Sequence, residues 1–290
     1  MRSKRSANLV GAAFSASNGR AAVHFAVLTL LSLSFAFPLV WLLSTALKNG
    51  AQIYSKPTAF FPLPLHWSNF ADVFRQYGML RYVKNTLIIV AASTAGNISA
   101  SSMAAYALAR LRFRGREAIF FATLSCMFIP GFLLIVPRFV IFKNIGLIGT
   151  LLPVILPPAL GTPFSVFMLR QFFRAIPPEL SEAARIDGCN EYRICFQIIA
   201  PLAKPAFITL VIFNTQWRWN EFLAPLIYLT DERLHTITLG LYKIMGLDAE
   251  EPTTHMVMAA VALSIVPIVV MFLIFQRYFV EGLSHVGMKR

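Results

Sequence analysis

Six stretches of this 290-residue chain are apolar for long enough to cross a bilayer, and that constraint removes most folds at once. A spanning helix needs roughly 20 mostly apolar residues. Residues 21–47, 85–109, 118–136, 146–169 and 256–275 meet that length, as does 205–230, where Arg218 and Glu221 interrupt the run. In lipid every backbone N–H and C=O must find an internal partner, so runs of this kind become helices. The expected fold is all-α: a polytopic integral membrane protein with six transmembrane helices. Apolar residues make up 57% of the chain, charged residues 13%, and the mean hydropathy is +0.65, too greasy for a water-soluble surface. The first run is too long for a signal-peptide core and no small-residue cleavage site follows it, so it reads as an uncleaved anchor.

Orientation follows Lys and Arg. The tail 1–20 carries Arg2, Lys4, Arg5 and Arg20. The connection after the second run carries Arg110, Arg112, Arg114 and Arg116, and the segment after the fourth carries Arg170, Arg174, Arg185, Arg193 and Lys204. Asp231, Glu232, Asp248, Glu250 and Glu251 cluster in the last long loop, on the other side. Both termini are therefore expected in the cytoplasm (N-in, C-in). This distribution, with anionic lipid, accounts for the net charge of +13, and nothing supports a nucleic-acid partner. Cys126, Cys189 and Cys195 form neither a disulfide framework nor a zinc spacing, so no metal site or cofactor is expected.

The most ordered polar segment lies near residues 176–201, between the fourth and fifth runs. Pro177 and Pro178 suit a first helical turn, Glu179 and Glu182 sit at its positive end, and Gly188 is placed to end the helix in a left-handed conformation. Asn190 can cap a second helix, which Pro201 and Pro205 would interrupt. Leu180, Ala183, Ala184 and Gly188 share a face of mostly small side chains. Two readings stand: a docking element for a partner, or an amphipathic connector lying on the membrane.

Within the membrane, Ala92, Gly96, Ala100 and Ala104 recur every fourth position, which predicts close helix packing. Pro130, Pro137, Pro153, Pro157, Pro158 and Pro163 predict kinks in the third and fourth spans. The fifth span carries what reads as the only intramembrane charge. Asn214, Trp217, Arg218 and Glu221 fall on one helical face, suited to stacking and charge-assisted hydrogen bonds with a polyhydroxylated solute. The competing reading is an Arg218–Glu221 pair that fixes helix register or a subunit interface.

The spacing Glu182-Ala183-Ala184, Gly188, Ile198 and Pro201 resembles the EAA loop of binding-protein-dependent ABC transporter permeases. Ala200 stands where that family usually has Leu. Asn69-Phe70, Asn85-Thr86, Ala104–Arg110 with Phe113–Arg116, Met127–Pro130, Pro163-Phe164, Trp219–Phe222 and Gly282-Leu283 with Gly287 and Lys289 extend the likeness over nearly the whole chain. The chain looks like a carbohydrate-uptake permease of the maltose-transporter type, whose fold is the transmembrane domain of a type I importer. The tail Ser284–Arg290 departs from the family's usual small residues.

The resemblance implies a permease domain over residues 21–290, in a bacterial cytoplasmic membrane. Its implied partners are an ABC ATPase dimer, a second homologous permease and an extracytoplasmic solute-binding protein. Glu182, Ala183, Ala184, Asp187, Gly188 and Pro201 would dock on the ATPase; Asn214, Trp217, Arg218 and Glu221 would line a substrate pathway. No GxxxxGK[ST] occurs, so ATP hydrolysis is expected on another subunit and no catalytic residue is assigned here. A secondary transporter would want mid-membrane carboxylates, and only Glu221 is on offer, beside Arg218. An intramembrane hydrolase fails on inventory, since only His24 of five histidines falls in a span and no complete GxSxG elbow exists.

Overall fold

The computed structural model describes residues 3–246 and 254–287, with side chains described at 21, 23–246 and 254–276. The side chains of residues 1–20 and of 277 onward, which carry the basic and family signatures of the tails, and the acidic positions Asp248, Glu250 and Glu251 lie outside that set. Every regular element among the described residues is helical. Four helices are long and apolar enough to cross a bilayer, and two bent pairs raise the number to as many as six if each pair is one span.

The chain divides into two compact units, residues 1–71 with 249–262, and residues 72–248 with 263–290. The first holds helix α1 (Ser3–Ala46), whose apolar stretch Val23–Ala46 leaves Phe25, Leu30, Phe35 and Phe37 at least half exposed, a surface that only lipid or a partner protein would cover. Its end is clasped locally. Asn49 caps α2 (Gly50–Ser55) in a reciprocal box with Gln52. Asn69, at the start of α3 (Ser68–Tyr77), donates to the carbonyls of Ala46 and Lys48, both at 2.8 Å. The Asn69-Phe70 signature is thus a structural clasp.

The second unit is organised by α4 (Met79–Arg110), roughly 48 Å long at 1.5 Å per residue. Against it pack α7 (Leu152–Ala159), α8 (Pro163–Ala175) and, later in the chain, α11 (Lys204–Trp219). The small-residue stripe of α4 does only part of what was expected. A Cβ on Gly96 would come within 2.6 Å of Ala159 Cβ and 2.9 Å of Ala159 O, so glycine is required there. Ala92 and Ala104 are exposed, while the buried face is Ser93, Thr94, Asn97, Ser101, Ser102 and Ala105. On this face Ser93 and Ser102 bond back to Ile89 O and Ile98 O, both at 2.5 Å, the Thr94 and Ser101 hydroxyls are buried without a hydrogen-bond partner, and Asn97 Nδ2 reaches across to Pro158 O at 2.9 Å.

Prolines set the breaks. Between α5 (Arg116–Ser125) and α6 (Ile135–Asn144) the chain tightens into 3₁₀ turns around Ile129-Pro130, and the pair bends by 94°. The fourth run spans Leu152–Ala175 rather than 146–169, interrupted after Pro157 and Pro158. Gly161 (φ +101°) turns left-handed there, and Thr162 caps α8 by accepting from Ser165 N–H. The fifth run is not one helix to Thr230. α11 stops at Trp219, residues 220–222 are non-helical, and α12 (Leu223–Tyr228) follows.

At the far end of α4, Asn85 Nδ2 donates to Arg233 O (2.8 Å) and His235 O (3.0 Å), and Thr86 Oγ1 accepts from Ile237 N (2.9 Å). The Asn85-Thr86 pair therefore pins the loop leading into α13 (Ile237–Ile244). The last helix, α14, runs Thr254–Gly287.

Candidate functional site

The segment 176–201 is built as the local chemistry dictates. Helix α9 (Glu179–Ile186) follows the two prolines with Glu179 and Glu182 in its first turn, and Gly188 (φ +79°) closes it as the Cys189 N–H bonds to Ala184 O at 2.9 Å. Asn190 then caps α10 (Glu191–Leu202), its Oδ1 accepting from Arg193 N at 2.9 Å. Pro201 does not interrupt this helix as expected. A π-helical stretch, Ile194–Ile199, precedes it and widens the backbone, so helix persists to Leu202. The turn falls one residue later, at Ala203, where α10 and α11 meet at 85°.

Packing then decides which residues face out. Ala184 is buried in a core with Leu169, Phe173, Ile194, Ile199 and Leu210, so it seats the helix and does not belong to an outward small face. Glu182, Ala183, Asp187, Gly188 and Pro201 are exposed. Ile186, 87% exposed, stands beside them as an apolar knob that the sequence reading passed over. Its signal was an isoleucine one turn from Glu182, at the end of a helix where only Ala184 among the apolar positions turns inward.

Charges lock this segment to the bundle. Arg185 holds Glu191 through two contacts, at 2.7 and 3.2 Å, and Tyr106 Oη on α4 donates to the same carboxylate at 2.5 Å. The Glu191 hydrogen bonds raise the Arg185 guanidinium above its ordinary value. Arg110 Nη2 donates to Ile176 O at 2.6 Å. Arg170, only 2% exposed, grips Glu117 bidentately at 2.7 and 2.8 Å, donates to Leu108 O and lies 3.7 Å over the Phe120 ring. Sequence reasoning counted Arg170 as a topology charge and gave Glu117 no role. A cleft of about 570 Å³ between Arg110, Arg112, Arg116 and the helix carrying Glu182 and Arg185 borders the segment.

The second candidate site comes apart and reassembles. Asn214, Trp217, Arg218 and Glu221 do not form one face, because α11 ends before Glu221. Asn214 is buried with its amide donating to Leu210 O at 2.9 Å, and Trp217 is half exposed, stacked on Phe213 and edge-on to Phe164. Trp219 is the buried member of the Trp-Asn-Glu-Phe motif, its Nε1 donating to Ser264 O at 3.1 Å. Arg218 and Glu221 do pair, at 3.0 Å, across the helix end. Both line a cavity of about 350 Å³ together with Arg138 of α6, Pro157, Pro158 and Tyr228. Arg138 corrects the expectation that the fifth span alone carries charge. The third run ends at Val136 by hydropathy, and only the bend at Pro130 swings the following turn toward the cavity.

Residues 96–285 match the model of the binding-protein-dependent transport system inner membrane component family. Among curated relatives, the diacetylchitobiose uptake system permease protein of Streptomyces coelicolor is 33% identical over 95% of this chain and 91% of its own length. The arabinooligosaccharides transport permease of Bacillus subtilis is 33% identical over 90% and 92%. The trehalose/maltose transport permease of Thermococcus litoralis is 33% identical over 87% and 84%. Among solved structures, a chain of a bacterial ABC transporter that imports the acidic polysaccharide alginate shares the fold, with a TM-score of 0.81 and 23% identity over 91% of this chain and 98% of that one. The three relatives are permease proteins of their uptake or transport systems. With well over half of its length matched to the family model, the chain belongs to the binding-protein-dependent transport system inner membrane component family, a multi-pass protein of the inner membrane.

Proposed function

We propose that this permease carries a carbohydrate inward through an ATP-driven importer, forming half of the translocation pore beside a second homologous permease. In this reading the six runs span the membrane with both termini in the cytoplasm. Residues 176–201 are the coupling loop, and a separate ATPase dimer receives its exposed side. The observation that carries the proposal is the anchoring of α9. A transmitting element must be stiff, and here Ala184 is sunk in the core while Tyr106, Glu191 and Arg185 tie α9, α10 and α4 into one body. Glu182, Ala183, Asp187, Gly188 and Ile186 are what a partner would touch. ATP-driven closure of the ATPase pair would move this body and flip the pore. Turning a 1:99 preference into 99:1 takes about 5.5 kcal/mol, which a loosely tethered loop would not deliver.

The carbohydrate cargo rests on the relatives, whose named substrates are oligosaccharides throughout the three cited. A secondary transporter is disfavoured by geometry, because Glu221 is held by Arg218 at 3.0 Å and is poorly placed to cycle a proton. The test is uptake by proteoliposomes holding this chain, its partner permease and the ATPase, supplied with the binding protein. Uptake should require all four and ATP. Accumulation by this chain alone would overturn the reading.

A further inference from the structure

Resting on that carbohydrate reading, we infer that the cavity between α6, α7 and the α11 break selects a cargo bearing one acid group, a uronic or sulfonated sugar unit, which it holds between Arg138 and Arg218. The charge count of the cavity carries this. Two guanidiniums and one carboxylate line it, and the carboxylate of Glu221 is already engaged by Arg218 Nη1 at 3.0 Å. Arg218 Nε is buried and has no hydrogen-bond partner, and among the described residues Arg138 makes neither an ion pair nor a hydrogen bond. Arg138 is near enough to act on Arg218 electrostatically. The phenol of Tyr228, which also lines the space, is occupied as a donor to Ile135 O at 3.1 Å. The cavity is thus left with one unmatched positive charge and free guanidinium donors.

An unmatched charge in a low-dielectric wall is expensive and is normally retained because something charged arrives there. A neutral sugar would accept the donors but leave the charge unbalanced. A single carboxylate or sulfonate balances it, and the planar fork of arginine fits that geometry. Proline fixes the opposite wall: Pro157 and Pro158 lack N–H groups, so that surface offers an anion no competing backbone donor and lets the arginines set the selectivity. At about 350 Å³ the space holds one or two sugar rings, so recognition would act unit by unit along a chain.

The experiment is uptake by the complete reconstituted transporter from a panel of acidic oligosaccharides (trigalacturonate, trimannuronate, a glucuronyl xylobiose and a 6-sulfonated hexoside). Each is paired with its carboxyl-reduced or desulfonated neutral counterpart. One acidic member should be taken up at least about tenfold faster than its neutral partner, ~1.4 kcal/mol of discrimination. Arg138→Gln should erase that ratio per assembled complex, and Arg138→Lys should keep part of it. Faster uptake of a neutral counterpart, unchanged by Arg138→Gln, would overturn the inference and leave the carbohydrate reading standing. So would Arg138→Gln that lowers recovery of the two-permease complex with uptake per complex intact, since the charge would then be met by the second permease. Uptake of no oligosaccharide at all would sink the carbohydrate reading itself, and this inference with it.

Discussion

Around the segment 176–201 two arginines have carboxylate partners, Arg170 with Glu117 and Arg185 with Glu191, and Arg110 is held by the Ile176 carbonyl. In the cavity beside α11, two guanidiniums share one carboxylate. The first arrangement holds a shape, and the second leaves an interaction to be completed. A part that transmits force gains from satisfied networks, because each partner fixes the other's rotamer. A part that receives cargo gains from donors that are placed in advance and not consumed. The contrast assigns the two regions different tolerances to change.

The largest effect belongs to the coupling surface. Gly188→Trp puts a bulky side chain on a left-handed residue in the middle of the exposed patch, and uptake should fall at least about tenfold, ~1.4 kcal/mol of lost docking. Gly188→Asn, which tolerates that conformation, should retain most transport. Full transport by the Trp variant would erase the distinction between the two regions. Next comes packing: Gly96→Val drives a Cβ into Ala159 and should cost ~3 kcal/mol, read as a lower thermal midpoint in detergent. Arg170→Met strips a buried guanidinium from Glu117 and Leu108 O and should cost ~2 kcal/mol, allowing for the half-exposed carboxylate. It should lower stability more than Arg138→Gln, because Arg138 has no hydrogen-bond or ion-pair partner to abandon among the described residues.

The smallest effect is in the outer loop. The hydrogen bond from Lys243 holds Glu232 below the usual carboxylate range and raises Lys243. A depressed carboxylate adds stability above its unfolded value of about 4.3, lost as pH falls through the lower folded value. A raised lysine adds stability below about 10.4, lost as pH rises through its folded value. The protection of Ile237–Ile244 against hydrogen exchange, taken relative to the intrinsic rate at each pH, should therefore stay flat between these limits and fall only outside them. Both side chains are about half exposed, so Glu232→Gln should change it by a few tenths of a kcal/mol at most.

What was legible in the sequence was local. Proline before α9, glycine after it and Asn190 before α10 act within a few residues of themselves, and each does what its chemistry requires. The apolar runs likewise announced helices, since lipid leaves no alternative. What was not legible depends on rotation and on distant breaks. Spacing placed Ala183 and Ala184 on one surface, but packing against Leu169 and Ile194 turned Ala184 inward. Heptad-like spacing put Glu221 in register with Asn214, but the helix stops at Trp219. Arg138 joined the cavity only through a 94° bend, which a proline hints at but does not orient. On α4 the hydroxyl face was buried instead of the alanine stripe: Thr86, Ser93 and Ser102 satisfy their hydroxyls on their own helix, while Thr94 and Ser101 are buried without a hydrogen-bond partner.

The central claim is that α9 presents its exposed side to an ATPase in the cytoplasm. The direct measurement is cysteine cross-linking from Ala183→Cys, with Cys126, Cys189 and Cys195 replaced by Ala, in membranes containing the assembled transporter. The ATPase subunit should be captured in high yield, with a yield that changes when ATP is added. Labelling of that cysteine by a membrane-impermeant reagent from the outer face, or capture of no ATPase at all, would contradict it.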